Sequence, residues 1–94
     1  MDRAAFETRL REQGYDDVAN RELAANFANE PHAHDFDAQL LILDGEITIA
    51  KDGAADVLRQ GDTCEVPAGT VHRECAGPEG VRYIAARRRA AASG

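Results

Sequence analysis

The sequence has no apolar run approaching the roughly 18–20 residues that a membrane-spanning helix needs. Its N-terminal stretch, MDRAAFETRLREQG, is charged throughout and has no apolar core of the kind a secretory signal requires. A cytoplasmic location is therefore expected. Basic charge is also scarce. Eleven Lys and Arg stand against 17 Asp and Glu, a net charge of -6, which removes the electrostatic case for nucleic acid. The one basic cluster, Arg87, Arg88 and Arg89, reads as a solvated end. Cysteine is limited to Cys64 and Cys75, expected as free thiols in a reducing compartment. Eight glycines and 3 prolines, with 44% hydrophobic residues, are a globular composition and not a disordered one. There is no internal repeat and no linker, so the 94 residues make one domain. A chain this short hides only about 60–65 % of its unfolded surface, so a bound metal or a second subunit would add needed stability.

The first segment reads as a helix over residues 3–13. Asp2 is a capping residue, Phe6 and Leu10 share a face, Glu7 and Arg11 are spaced for an ion pair, and Gly14 is a stop. After Tyr15 the pattern changes to strand-length pieces: AQLLIL, EITIA, ADVLRQ, TCEV, VHREC and VRYIAA. Between them lie turn signals, among them Asp44-Gly45, Asp52-Gly53, Gly61-Asp62, Pro67-Ala68-Gly69 and Gly77-Pro78-Glu79-Gly80. The expected organisation is a helix over 1–15, a small all-β barrel or sandwich over 16–88, and a frayed tail over 89–94.

Histidine is rare too: there are only three. His32 and His34 lie one residue apart in PHAHDFDAQLLILDGEI. On a strand, positions i and i+2 share a face, about 6.6 Å apart, so two such imidazoles can lean onto one ion. They cannot complete its shell alone. The third, His72, ends the stretch GDTCEVPAGTVH, in which Gly61-Asp62 opens a strand and Pro67 and Gly69 make a tight turn.

Together these stretches resemble the cupins, small jelly-roll barrels with two motifs, G-x5-H-x-H-x3,4-E-x6-G and G-x5-P-x-G-x2-H-x3-N. The second is matched through His72, with Ala76 at the Asn position; the first keeps His32, His34 and Gly45 but has Asn26 at its opening Gly. The resemblance covers about residues 18–86. It implies an all-β jelly-roll barrel behind the N-terminal helix, with one divalent metal held inside by His32, His34 and His72. The family's Glu is missing. Counting seven back from Gly45 places that position at Ala38, whereas a looser count from His34 places it at Gln39. Alternation sends these two to opposite faces. The Gly45 register favours three histidines with water completing the shell. The other ligand set adds the Gln39 amide oxygen, and a cupin that holds no metal or holds it weakly stays open. Three neutral nitrogens suit Fe, Mn, Co, Ni, Cu or Zn and not Mg or Ca.

Around the site, Asp37 is either a second carboxylate bonded to a ligand imidazole or a solvated acid, and Asp35 beside it is also acidic. Phe36 is read as a pocket wall, and Cys64 as a buried, inert thiol. Of Arg82 and Tyr83, one faces inward. Tyr83 is favoured, because an unpaired arginine is costly to bury, and it is the candidate catalytic residue. Leu40 and Ile42 share the Ala38 face, Leu41 and Leu43 the other, and Ile47, Ile49 and Val66 are core candidates. The resemblance implies a metal-binding cupin, and two functions follow from it. One is a metalloenzyme acting on a small oxygenated or thiol substrate, by dioxygenase-like or Lewis-acid isomerase or lyase chemistry. The other is a non-catalytic module that binds or senses a small ligand. Partners are expected to be that small molecule and a second copy in a homodimer, with no nucleic acid and no membrane.

Overall fold

The fold was established from a computed structural model, which describes residues 1–89. Residues 90–94, most of the expected tail, lie outside the described part. One helix, α1 (Arg3–Glu12), precedes five strands: β1 (Asp17–Leu23), β2 (Phe36–Lys51), β3 (Ala54–Arg59), β4 (Thr63–Val66) and β5 (His72–Arg89). All pairings are antiparallel, in the order β1-β5-β2-β3, and β4 also pairs with β2. Arg89, expected at the start of the tail, is the last residue of β5 and pairs with Phe36. No helix among the described residues is long and apolar enough to cross a membrane.

The helix forms as its sequence predicts, one residue shorter at its end. The Asp2 Oδ1 accepts from the Ala5 N–H at 2.8 Å, satisfying a donor that the first turn would otherwise leave free. Glu7 pairs back to Arg3 at 3.0 Å and not forward to Arg11, which reaches the Thr8 hydroxyl instead. Both arginines are four residues from Glu7, and an exposed pair of this kind carries little energy, so spacing did not choose between them.

Two strands run longer than the turn signals suggest. Asp44-Gly45 and the Gly77–Gly80 segment do not end strands; they kink β2 and β5. The register of β2 on β5 breaks between Ile42 and Asp44 and again between Gly45 and Ile47, leaving residues 77–80 opposite Glu46. Gly45 has φ 79, and a Cβ there would clash with the Gly80 carbonyl oxygen, so only glycine fits this crossing. The kink has a packing consequence. Inward side chains fall on even positions before it (Ala38, Leu40, Ile42) and on odd positions after it (Ile47, Ile49), so both halves of β2 face one interior.

That interior is lined by Leu40, Ile42, Ile47, Ile49, Leu58, Ala76, Val81 and Tyr83, with Cys64 packed against it. A second apolar cluster lies on the outer face. Leu41, Ile84 and Ala86 meet Phe6, Leu10 and Tyr15 there, with Leu43 at its margin. Phe6 is 0% exposed and Leu10 1%, so α1 is held by a few large side chains against the back of the sheet. β1, which the strand pieces had not included, forms along the outer edge of β5, and six of its seven residues are exposed. Its lack of buried apolar residues removed the usual alternation signal.

Candidate metal centre

The three histidines meet at one end of the barrel. His32 and His72 are held side by side by two backbone bonds, each N–H donating to the other's carbonyl at 2.9 Å. His34 sits two residues on, and its carbonyl accepts from the Gly69 N–H at 2.9 Å. The Pro67-Ala68-Gly69 turn thus has a second task beyond reversing the chain: it clamps the segment that presents His34. The segment leading into β2 is a loop anchored by two isolated bridges, Ala28 to Cys75 and His32 to His72, and not a regular strand as the i, i+2 argument assumed. The proximity survives because the bridges and the turn replace the pleat. The ring centroids lie 4.5–5.2 Å apart, and each ring offers a nitrogen within 4.8 Å of the others.

The ring orientations follow from backbone contacts. The Nδ1 of His32 lies 2.8 Å from the Glu30 carbonyl oxygen, and the Nδ1 of His72 lies 2.9 Å from that of Thr70. A carbonyl oxygen only accepts, so each Nδ1 carries a proton, and in the neutral ring Nε2 keeps the lone pair. That is the tautomer a metal ligand needs. Burial pushes the His34 imidazole below its ordinary pKa, and the neighbouring His32 and His72 rings act in the same direction. The donor set is therefore compatible with a divalent transition-metal ion.

The nitrogens face a cavity of about 230 Å³ with aromatic and aliphatic walls. Phe36 forms one wall, stacked on His34 with centroids 4.6 Å apart. Ala38, Leu40, Ile49 and Val66 line it further in. Tyr83 also reaches it and is 4% exposed; burial pushes its phenol pKa up, with the nearby Glu74 carboxylate adding to the effect. Tyr83 is thus protonated at neutral pH and able to donate. Arg82 faces away, toward Asp44 at 3.8 Å.

Two expectations are corrected, and the alternative ligand set is not assembled. Gln39 is not brought to the histidines. It is 2% exposed on the opposite face of β2, where its amide donates to the Gln13 side chain at the end of α1. Alternation decides this, since Ala38 takes the cavity side. Asp37 is neither a partner of a ligand imidazole nor a solvated acid. Its two oxygens accept from the Ala68 N–H at 2.9 Å and from Arg88 at 2.7 and 3.2 Å. These bonds, the backbone one first, hold its carboxyl below the usual range. Finally, Arg88 is no solvated end residue: it also donates to the Gln13 carbonyl at 2.6 Å, tying β5 to the helix terminus. Asp35 is exposed. Cys64 is half-buried, and burial pushes its thiol pKa up, which disfavours the reactive thiolate, while Cys75 is exposed and faces away from His72.

One residue near the histidines went unremarked in the sequence. Glu74 lies two positions after His72 on β5, on the same face, and its Oε1 is 3.6 Å from the Nε2 of His72 and 3.7 Å from that of His32. The signal was the same i, i+2 rule applied to His32 and His34. It was overlooked because the motif places the carboxylate on β2.

Comparison with known proteins agrees with this architecture. A family profile described as a cupin domain matches residues 21–86, more than half of the chain. The protein belongs to the cupin family. Among solved structures, an RmlC-like cupin from Shewanella frigidimarina superposes with a TM-score of 0.69 at 24% identity, over 80% of this chain and 67% of that one. The cupin domain of Schizosaccharomyces pombe Cnp3 does so with a TM-score of 0.70 at 18% identity, over 77% and 54%. Drosophila melanogaster CENP-C, solved bound to CAL1, gives 0.69 at 16% identity, over 76% and 60%. These likenesses concern the fold. The chain spans between about half and two thirds of the length of these structures. No curated protein sequence matches it.

Proposed function

We propose that the protein is a small metalloenzyme whose His32, His34 and His72 hold one divalent transition-metal ion at the end of the barrel cavity. The observation that carries this reading is the convergence of two lone-pair Nε2 atoms, set by backbone carbonyls, beside a third imidazole at an apolar cavity. When bound, the ion supplies Lewis acidity and open coordination positions for an oxygen or sulfur donor. The chain supplies the rest. Phe36, Leu40 and Val66 keep water from the far side of the substrate. The Tyr83 hydroxyl donates a hydrogen bond to a substrate oxygen, which makes it the candidate catalytic residue. Arg21 and Arg87 are exposed cavity-lining residues that pair with no carboxylate among the described residues, so the substrate is a small anion. Dioxygenase-like or Lewis-acid isomerase or lyase chemistry fits these parts.

A second reading is a non-catalytic small-ligand module. It draws on a binding role for the same fold, since the structurally similar CENP-C was solved bound to CAL1. The two readings separate in one experiment. Protein loaded anaerobically with Fe(II) is given oxygen with a small thiol acid or a β-dicarbonyl acid, and oxygen uptake is compared with that of His72→Ala. Uptake above the variant supports the enzyme. Silence with both substrate classes and with Mn, Co, Ni, Cu and Zn supports the binding module. A homodimer in the cytoplasm completes the proposal. β1 and β3 end the sheet with unpaired edges and expose Val18 and Val57. Sedimentation at micromolar concentration should give twice 10.2 kDa; the monomer mass would refute the dimer.

A further inference from the structure

We propose that Glu74 is the fourth protein ligand, a carboxylate delivered from β5 to the centre whose usual β2 position is occupied by Ala38. The inference rests on the metal-centre reading above and goes beyond its three histidines. Consider the three atoms that face one another. In the neutral rings, with the Nδ1 proton of each held by the carbonyl of Glu30 or Thr70, the Nε2 of His32 and that of His72 carry the lone pairs. The Glu74 Oε1 is also an acceptor, 3.7 and 3.6 Å from them. These distances are too long for hydrogen bonds, and two neutral imidazoles offer the carboxylate no donor. A cation between the three atoms would be accepted by all of them. Bonds of about 2.1 Å to a tetrahedral ion set neighbouring ligand atoms about 3.4 Å apart; the Glu74 Oε1 lies within a few tenths of an ångström of that from both imidazole nitrogens, while the nitrogens of the three histidines lie within 4.8 Å of one another.

Glu74 is also fixed in place. Its N–H donates to the Asn29 Oδ1 at 2.8 Å, and its carbonyl accepts from the Asn29 N–H at 3.2 Å. The side chain leaves β5 on the His72 face and is only 17% exposed. A carboxylate so enclosed needs a positive partner. The nearest arginines do not supply one among the described residues, whereas a divalent ion would. Moving the carboxylate from β2 to β5 leaves Ala38 as open space on the cavity wall, so the substrate gains room on that side. Adding a carboxylate oxygen to three imidazoles also makes the site more hospitable to harder ions such as Mn.

The test is titration of Co(II) into wild-type protein and Glu74→Gln, followed by the visible d–d absorption. Glu74→Gln preserves shape and removes the charge. Its Kd should rise at least tenfold, and its cobalt spectrum should differ in position and intensity. Affinity within twofold and a superimposable spectrum would overturn the assignment while leaving the three-histidine centre standing. Failure of the wild type to take up Co(II) at all would overturn the centre itself, and the assignment with it. A measurement on wild-type protein covers the case in which the variant does not fold. With glutamate labelled at its side-chain carboxyl carbon, saturation with Zn(II) should displace one glutamate resonance. No displaced resonance in the zinc-saturated protein overturns the role of Glu74.

Discussion

Replacing His72 by alanine should strip most of the stabilisation that metal gives this fold. His72 is 5% exposed, its Nδ1 is committed to Thr70, and its Nε2 faces the shared centre. Wild-type protein at a free metal concentration about 100 times its Kd gains about 2.7 kcal/mol. For a domain of this size each kcal/mol moves the melting temperature by about 4–8 °C. The expected difference between metal-loaded and chelated protein is therefore about 11–22 °C. His72→Ala leaves two imidazoles on one loop. Loss of a partner that merely supports a ligand already costs about 10–100-fold in affinity, so loss of a ligand should cost at least about 100-fold. At the same metal concentration the variant then sits near its Kd and gains only about 0.4 kcal/mol, or roughly 2–3 °C. Differential scanning fluorimetry with and without chelator, at matched free metal, reads both values. A variant whose metal-induced shift equals that of the wild type would refute the convergence of His32, His34 and His72 on one ion.

Gln39→Ala should leave Co(II) affinity within twofold but lower urea stability by about 1–3 kcal/mol, because it strands the buried bond to Gln13 on the helix side; a tenfold loss of affinity would put Gln39 at the metal after all. Gly45→Ala should destabilise by more than about 3 kcal/mol or prevent folding, given φ 79 and the clash a Cβ would make with the Gly80 carbonyl oxygen; a soluble variant melting within a few degrees of wild type would contradict the close crossing of β2 and β5. Asp37→Asn should destabilise the protein at neutral pH. The carboxyl of Asp37 is held low by Ala68 and Arg88, so its contribution is present above the free aspartate value of about 3.9 and is lost as pH falls through the lower folded value. The gap between wild type and variant, measured by urea denaturation, should narrow as pH falls below the free aspartate value of about 3.9; a gap of constant size from pH 7 downward would rule out the charged pair.

The sequence by itself determined the class of fold and the three histidines. Breakers between strand-length pieces, the Asp2 cap with Phe6 and Leu10, and the paired spacings around His32, His34 and His72 are local signals, and each follows from backbone geometry over a few residues. The cupin motif spacing counted back from Gly45 likewise pointed to Ala38 as the inward position, and alternation sent its neighbour Gln39 outward. Tertiary structure decided the rest. Whether Asp44-Gly45 ends a strand or kinks it depends on the Gly80 carbonyl approaching from β5, more than thirty residues away. The partners of Asp37 are Ala68 and Arg88, distant in sequence, and no local rule selects them from the surrounding charges. The strand β1 carries no apolar alternation because it lies at the sheet edge, a position known only once the sheet is assembled. The carboxylate beside the histidines is the sharpest instance. The sequence places Glu74 on the face of His72, but only the bridge joining His32 to His72 brings all three polar atoms to one point.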